Sequence, residues 1–136
     1  MTPEEKNLPI NATVDAERAH HLVRAFSREA GLPERDIDEL LLATSELLRN
    51  VLIHATSGGS LSCRRLEIDG EQVVQVEVKD SGPGIPDIEL AMHDGYTSGS
   101  GLGSGLPTAR RHVDTFAIES GVEGTAVRLR KRIRLK

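Results

Sequence analysis

The sequence predicts an α+β fold of two layers, with helices packed on one face of a mixed, mostly antiparallel sheet. Three observations predict it. Apolar residues recur at helical spacing over two long consecutive stretches, 16–30 and 34–55. Alternating apolar segments come in hairpin-spaced pairs, 61–68 with 73–78 and 116–120 with 125–135. The helical stretches are grouped rather than interleaved with the strands, so there is no βαβ repeat. A chain of 136 residues fits one domain, and no linker or internal repeat divides residues 1–136. Its composition, 38% hydrophobic and 28% charged, is that of a globular chain rather than a disordered one.

Residues 8–14 read as a short first strand leading to Asp15, whose carboxylate suits a helix N-cap. Ala19, Leu22, Val23, Phe26 and Ala30 then mark one face of a helix, and Gly31 supplies its stop. Pro33 opens a second helix reaching about Ala55, with Ile37, Leu40, Leu41, Thr44, Leu47, Leu48 and Val51 on its packing side. The strands at 61–68 and 73–78 join through Asp69-Gly70, a hairpin dipeptide. From Ser81 to Ser104 the chain is rich in Gly, Pro, Ser and Asp, with one short helical piece at 88–95. A loop of that length inside a compact domain points to function or disorder. A third helix is expected over Leu106–Phe116, followed by strands at 116–120 and 125–135. The last strand alternates Val127, Leu129, Ile133 and Leu135 with Arg128, Arg130, Arg132 and Arg134, which reads as one buried and one solvated face.

Composition removes several classes of function. The net charge of −4 speaks against a dedicated nucleic-acid binder, and so do the sparse aromatics, Phe26, Tyr96 and Phe116. No apolar run approaches the ~20 residues that span a bilayer, and the polar start MTPEEKNLPIN does not read as a signal peptide. A single cysteine, Cys63, excludes an internal disulfide and a cysteine-rich zinc site, so a cytoplasmic setting is expected. His20, His21 and His112 have no partner at ligand spacing, and no role is read for His93.

Four constellations carry chemistry. Glu46, Asn50 and His54 recur every four residues, one stripe of the second helix. The stripe alone could be a solvated edge; Asn50, a poor helix former, could instead offer an oxygen to Mg2+, and Glu46 could act as a base. Val78 to Ile85, VKDSGPGI, ends a strand at Asp80 and continues with Gly82 and Gly84. That is ordinary turn chemistry, yet it also lets backbone approach a ligand while Asp80 accepts from an exocyclic amine. Gly99, Gly101, Gly103 and Gly105 alternate and feed a helix, an arrangement that converges backbone N–H groups on phosphate. It is neither a Walker loop nor a dinucleotide fingerprint. The fourth, Gly124-Thr125, lies between the last two strands.

In this order and spacing, the four resemble the asparagine box and the three glycine boxes of the GHKL, or Bergerat-fold, ATPases, over about Leu40 to Leu129. The absence of transducer and phospho-acceptor domains points to the small anti-sigma-factor and switch-protein serine kinases. Glu46-Leu47-Leu48-Arg49-Asn50, Asp94-Gly95-Tyr96-Thr97 and Ser100–Leu106 look most like the RsbT type of the stressosome. The resemblance implies an ATP- and Mg2+-dependent serine/threonine kinase acting on STAS-domain partners, with a PP2C-type phosphatase as a further partner and no nucleic acid or membrane. It implies that Glu46 deprotonates the substrate hydroxyl and that Asn50 holds the metal. Asp80 would bind the adenine amino group of ATP or ADP with Thr125 beside it, and Gly82 and Gly84 would flank the base. Gly101, Leu102, Gly103, Ser104, Gly105 and Leu106 would wrap the phosphates, with residues 86–100 completing a lid. The alternative is a nucleotide-dependent binding module, an anti-sigma factor or phosphatase activator, with little or no transfer.

Overall fold

The computed structural model describes residues 5–54, 58–81, 105–121 and 124–133. The elements run β1 (Glu5–Ile10), α1 (Thr13–Ala30), α2 (Glu34–His54), β2 (Gly59–Ile68), β3 (Glu71–Asp80), α3 (Leu106–Arg111), β4 (Thr115–Gly121) and β5 (Gly124–Arg132). The expected helical piece at 88–95 and His93 lie outside the described residues.

The five strands form one sheet in the order β1-β2-β3-β5-β4. Among the described residues every pairing is antiparallel, where the sequence predicts a mixed, mostly antiparallel sheet. The reason is topological. β4 runs parallel to β3, but β5 inserts between them, so among the described residues no parallel pair forms.

Register turns this order into rows of side chains on the helix-covered face. One row is Leu8, Leu61, Val78, Val127 and Ile118. A second carries Cys63, Val76, Leu129 and Phe116. These pack beneath Val23 and Phe26 of α1 and Ile37, Leu40, Leu48 and Val51 of α2. Each fully buried Leu or Ile contributes about 1.5–3 kcal/mol of transfer free energy. Cys63 is sealed in this core, and burial pushes its thiol up to about 12, so it is unreactive. At the end of the sheet the apolar pattern stops. The last row is Ile10, Gly59, Asp80, Thr125 and Ser120, and it turns polar at Asp80.

Local chemistry explains most boundaries. Asp69 and Gly70 both take positive φ, 51° and 81°, as the two-residue turn between β2 and β3 demands. Gly31 ends α1 at φ 101°, its N–H bonded back to Ser27 and Arg28 carbonyls. Two expectations are corrected. Asp15 is not the N-cap: the helix begins two residues earlier, and Oδ2 of Asp15 accepts from the N–H groups of Asn11 at 2.9 Å and Ala12 at 3.0 Å. The third helix stops at Arg111 rather than Phe116, because Asp114 joins the sheet. Its N–H donates to Arg130 O at 3.0 Å, and its Oδ2 accepts from Arg132 N at 2.7 Å.

The two N–H bonds, that of Asn11 first, hold the Asp15 carboxyl below the ordinary carboxylate value, with Arg18 adding attraction. A depressed folded-state value contributes stability above the ordinary carboxylate range, and that contribution is lost as pH falls through the folded value. Asp15→Ala is therefore expected to lower Tm by a few degrees at pH 7. The difference should shrink as pH falls below the ordinary carboxylate range and through the folded value. Thermal unfolding of both proteins across pH checks this, and a difference independent of pH would contradict it.

Candidate functional site

The site forms where the polar end of the sheet meets α2 and the start of α3. Asp80 ends β3 on the helix-covered face, and its Oδ1 accepts from the backbone N–H of Thr125 at 3.2 Å. The Thr125 hydroxyl in turn lies 2.9 Å from that of Ser120. This closeness depends on Gly124, whose φ is +139°. A Cβ there would strike the Asp80 carbonyl oxygen, so only glycine lets β5 start hard against the end of β3. A cavity of about 520 Å3 opens beside these groups and reaches round the sheet end to Lys79, Glu119 and Ala126 on the open face. Its size suits a small-molecule site.

Glu46 projects from the middle of α2 onto Gly105, the residue before α3. The place a Gly105 side chain would take is filled by the Glu46 carboxylate, with Glu46 Cβ 3.1 Å from it. Gly105 has φ −91° and ψ −10°, a conformation open to any residue, so glycine serves space here rather than backbone freedom. Glu46 is 30% exposed, and Arg49 Nη1 stands 3.9 Å from its Oε2. Asn50 follows one turn later and is half-buried. Its neighbour Val51 packs on Gly59, the register partner of Asp80. Asn50 is thereby bracketed on α2 between the contact with α3 and the contact with the polar row.

Glu46, Asn50, Asp80, Gly105 and Thr125 are thus drawn to one end of the fold from four segments. Leu106 differs from the rest: the whole residue is 1% exposed, buried within the core. Helix geometry gives the N–H groups of Leu106 and Thr108 no acceptor within α3, and Pro107 has none to satisfy. Gly82, Gly84, Gly101, Leu102, Gly103 and Ser104, with the expected lid 86–100, lie outside the described residues, as does the side chain of His54.

Two features escaped the sequence reading. His20 of α1 contacts Ser45 of α2, and because Ser45 Oγ donates to Leu41 O at 2.9 Å, the imidazole Nε2 must be the donor. Burial holds His20 below its ordinary value, with Arg24 and His21 adding to the effect. Lys131, inside the arginine-rich last strand, is not on the solvated face but on the covered one, where its side chain is 7% exposed. Its place in the run Val127, Leu129, Lys131, Ile133 was the available signal.

Comparisons with known proteins bear on the fold and the family. Residues 10–131 match the family described as the histidine kinase-like ATPase domain. The chain is 35% identical over 121 residues to the serine/threonine-protein kinase RsbT of Bacillus subtilis, covering 88% of this chain and 90% of that one. It is 32% identical over 120 residues to the anti-sigma F factor of Clostridium acetobutylicum, covering 83% and 82%. Among solved structures, the RsbU and RsbW domains of a Mycobacterium tuberculosis protein superpose with a TM-score of 0.66 at 22% identity, over 96% of this chain and 32% of that one. The catalytic domain of the histidine kinase ThkA superposes with a TM-score of 0.58 at 15% identity, over 96% and 98%. At those identities the two structures speak for the fold alone.

Proposed function

The chain belongs to the histidine kinase-like ATPase family and is a protein serine/threonine kinase of it, and from that premise we propose that it transfers the γ-phosphoryl group of ATP to a serine or threonine of a STAS-domain protein. The setting in this reading is cytoplasmic sigma-factor and stress signalling, where such a kinase and a PP2C-type phosphatase set the state of the same switch protein. The observation that carries the reading is the Glu46 carboxylate seated on Gly105. It puts a candidate base against the start of the helix that follows the glycine run.

Each group then has a task. Asp80 accepts from the adenine amino group with Thr125 beside it, and Gly82 and Gly84 lie along the base. Gly101, Leu102, Gly103, Ser104, Gly105 and Leu106 offer backbone N–H groups to the phosphates at the start of α3. Asn50 fits Mg2+, which takes a few protein oxygens and completes its shell with phosphate oxygens and water. Bound there, Mg2+ would neutralise charge on the transferring group. Glu46 takes the hydroxyl proton as the substrate oxygen bonds to the γ-phosphorus, and the bond to the β–γ bridging oxygen breaks to release ADP. Arg49 orients the Glu46 carboxylate from its exposed side.

The test incubates the protein with γ-labelled ATP, Mg2+ and a purified STAS-domain protein. Acid-stable label on serine or threonine is expected. Glu46→Gln should reduce it at least ~100-fold while ADP binding persists. Acid-labile label would move the chain to histidine phosphorylation. Tight partner binding with no label from the native protein would establish the binding-module alternative instead.

A further inference from the structure

Lys131 sits at the other end of the sheet from Asp80 and Thr125, about 20 Å along β5 from Thr125 at ~3.3 Å per residue. On the covered face its row neighbour is Val74, and the ammonium is withdrawn from water. Nζ donates to Glu39 Oε2 at 3.0 Å and to the carbonyl oxygen of His112 at 2.9 Å. His112 is the residue that ends α3. A buried lysine that satisfies a helix-ending carbonyl and a carboxylate on a different helix joins three elements at one atom.

Glu39 and Glu46 both belong to α2 and stand seven residues apart, so they share one helix face about 10.5 Å apart along the axis. The six residues of α3 span about 9 Å at the same rise per residue. The lengths match. Glu46 meets the start of α3 at Gly105, and Glu39, through Lys131, holds its end at His112. A six-residue helix is far below the ~12 residues needed for independent stability, so its place depends on such contacts. Pro107 and Ala109 are buried beside Leu106, which fixes the helix against the core but leaves sliding along α2 to be resisted at its ends. Lys131 supplies the hold at the end far from the site.

We propose that Lys131, with Glu39, is a positioning residue of the kinase site: it ties the end of α3 to α2 and so keeps Gly105 lodged on Glu46. This deepens the proposed function and rests on it for its catalytic consequence. The tie itself can be read without nucleotide. The adenine end is built from Asp80 and Thr125, which Lys131 does not touch, so loosening the tie affects transfer more than base binding. The ammonium is held by Glu39 and His112 while the aliphatic stem runs beside Val74, so Lys131→Met retains the packing of the stem while removing the charge.

The experiment has two readouts. Hydrogen exchange measured on the nucleotide-free protein reports α3 through the N–H groups of Ala109 and His112, which bond to Gly105 O and Ala109 O. In Lys131→Met their protection should fall at least ~10-fold while that of Val76 and Leu129 in the sheet is unchanged. Glu39→Ala, which removes the acceptor at the partly exposed partner, should reproduce this, and Lys131→Arg should restore protection. In phosphoryl transfer, kcat should fall ~10-fold or more with KM for ATP changing less than ~3-fold. Unchanged α3 protection in both Lys131→Met and Glu39→Ala would overturn the proposal, as would an equal loss across the sheet, which marks a general structural role. If the native protein transfers no phosphate while the exchange result holds, the tie stands and the kinase reading fails.

Discussion

Replacing Asp80 with asparagine is expected to abolish the nucleotide-dependent rise in melting temperature while leaving the fold in place. With Mg-ADP at a hundred times its dissociation constant, linkage adds about 2.7 kcal/mol to stability. For a chain of this length that is a rise of roughly 10 °C. The amide side chain keeps one carbonyl oxygen, enough to hold the Thr125 N–H that Asp80 Oδ1 accepts at 3.2 Å. Its other polar atom becomes a donor where the carboxylate had an acceptor. Against an exocyclic amine that is donor facing donor, with a buried group left unsatisfied at a cost of about 1–3 kcal/mol. The variant should unfold near the temperature of the nucleotide-free native chain whether Mg-ADP is present or absent. A rise equal to that of the native protein would show that Asp80 does not hold the base, and the site would have to be drawn elsewhere. The pairing with Thr125 is backbone to side chain, so Thr125→Val should retain most of the rise and serves as the neighbouring comparison.

What could be read from the sequence divides along the range of the forces involved. The Asp69-Gly70 turn and the Gly31 stop follow from φ preferences of one or two residues, and both stand where the sequence places them. Strand alternation located β2 and β3 correctly because Val74, Val76 and Val78 all point to one face. The end of α3 was not legible, since the five residues after Arg111 suit a helix as well as a strand. What decides between them is Asp114 bonding to β5, sixteen and eighteen residues away. Asp15 was assigned a capping role at the wrong position, because an acidic side chain at the third helical residue reaches back to the N–H groups of the cap residue Ala12 and of Asn11 instead of forward to those of the first turn. In the site, the types of residue were legible and their meetings were not. Spacing marks Glu46 and Gly105 as notable, yet nothing local says that one fills the space the other leaves. Lys131 shows the opposite case. Its inward phase was written in the strand alternation, and the surrounding arginines obscured it.

The second large effect is expected at Gly105, and its size should depend on the residue at position 46. A methyl group on Gly105 occupies the space of the Glu46 carboxylate and comes within 2.9 Å of Glu46 Cδ. Either the carboxylate swings toward Arg49 and solvent, or α3 moves off α2. Overpacking of this kind costs about 1–3 kcal/mol. Both relaxations displace the candidate base by more than an ångström, and a misplacement of that size lowers phosphoryl transfer about 100-fold. At φ −91° and ψ −10° Gly105 lies where alanine is allowed, so the backbone itself adds little to the cost. Glu46→Ala removes the carboxylate, the nearest obstacle, and leaves only Cβ, 3.1 Å from the added methyl group. Gly105→Ala should therefore destabilise the native chain and cost markedly less in the Glu46→Ala background, a coupling that denaturant unfolding of the four proteins measures directly. Equal effects in both backgrounds would mean that Glu46 does not rest on Gly105 in solution. The contact that places a base beside the glycine run would then be lost, and the kinase reading would lose its principal support with it.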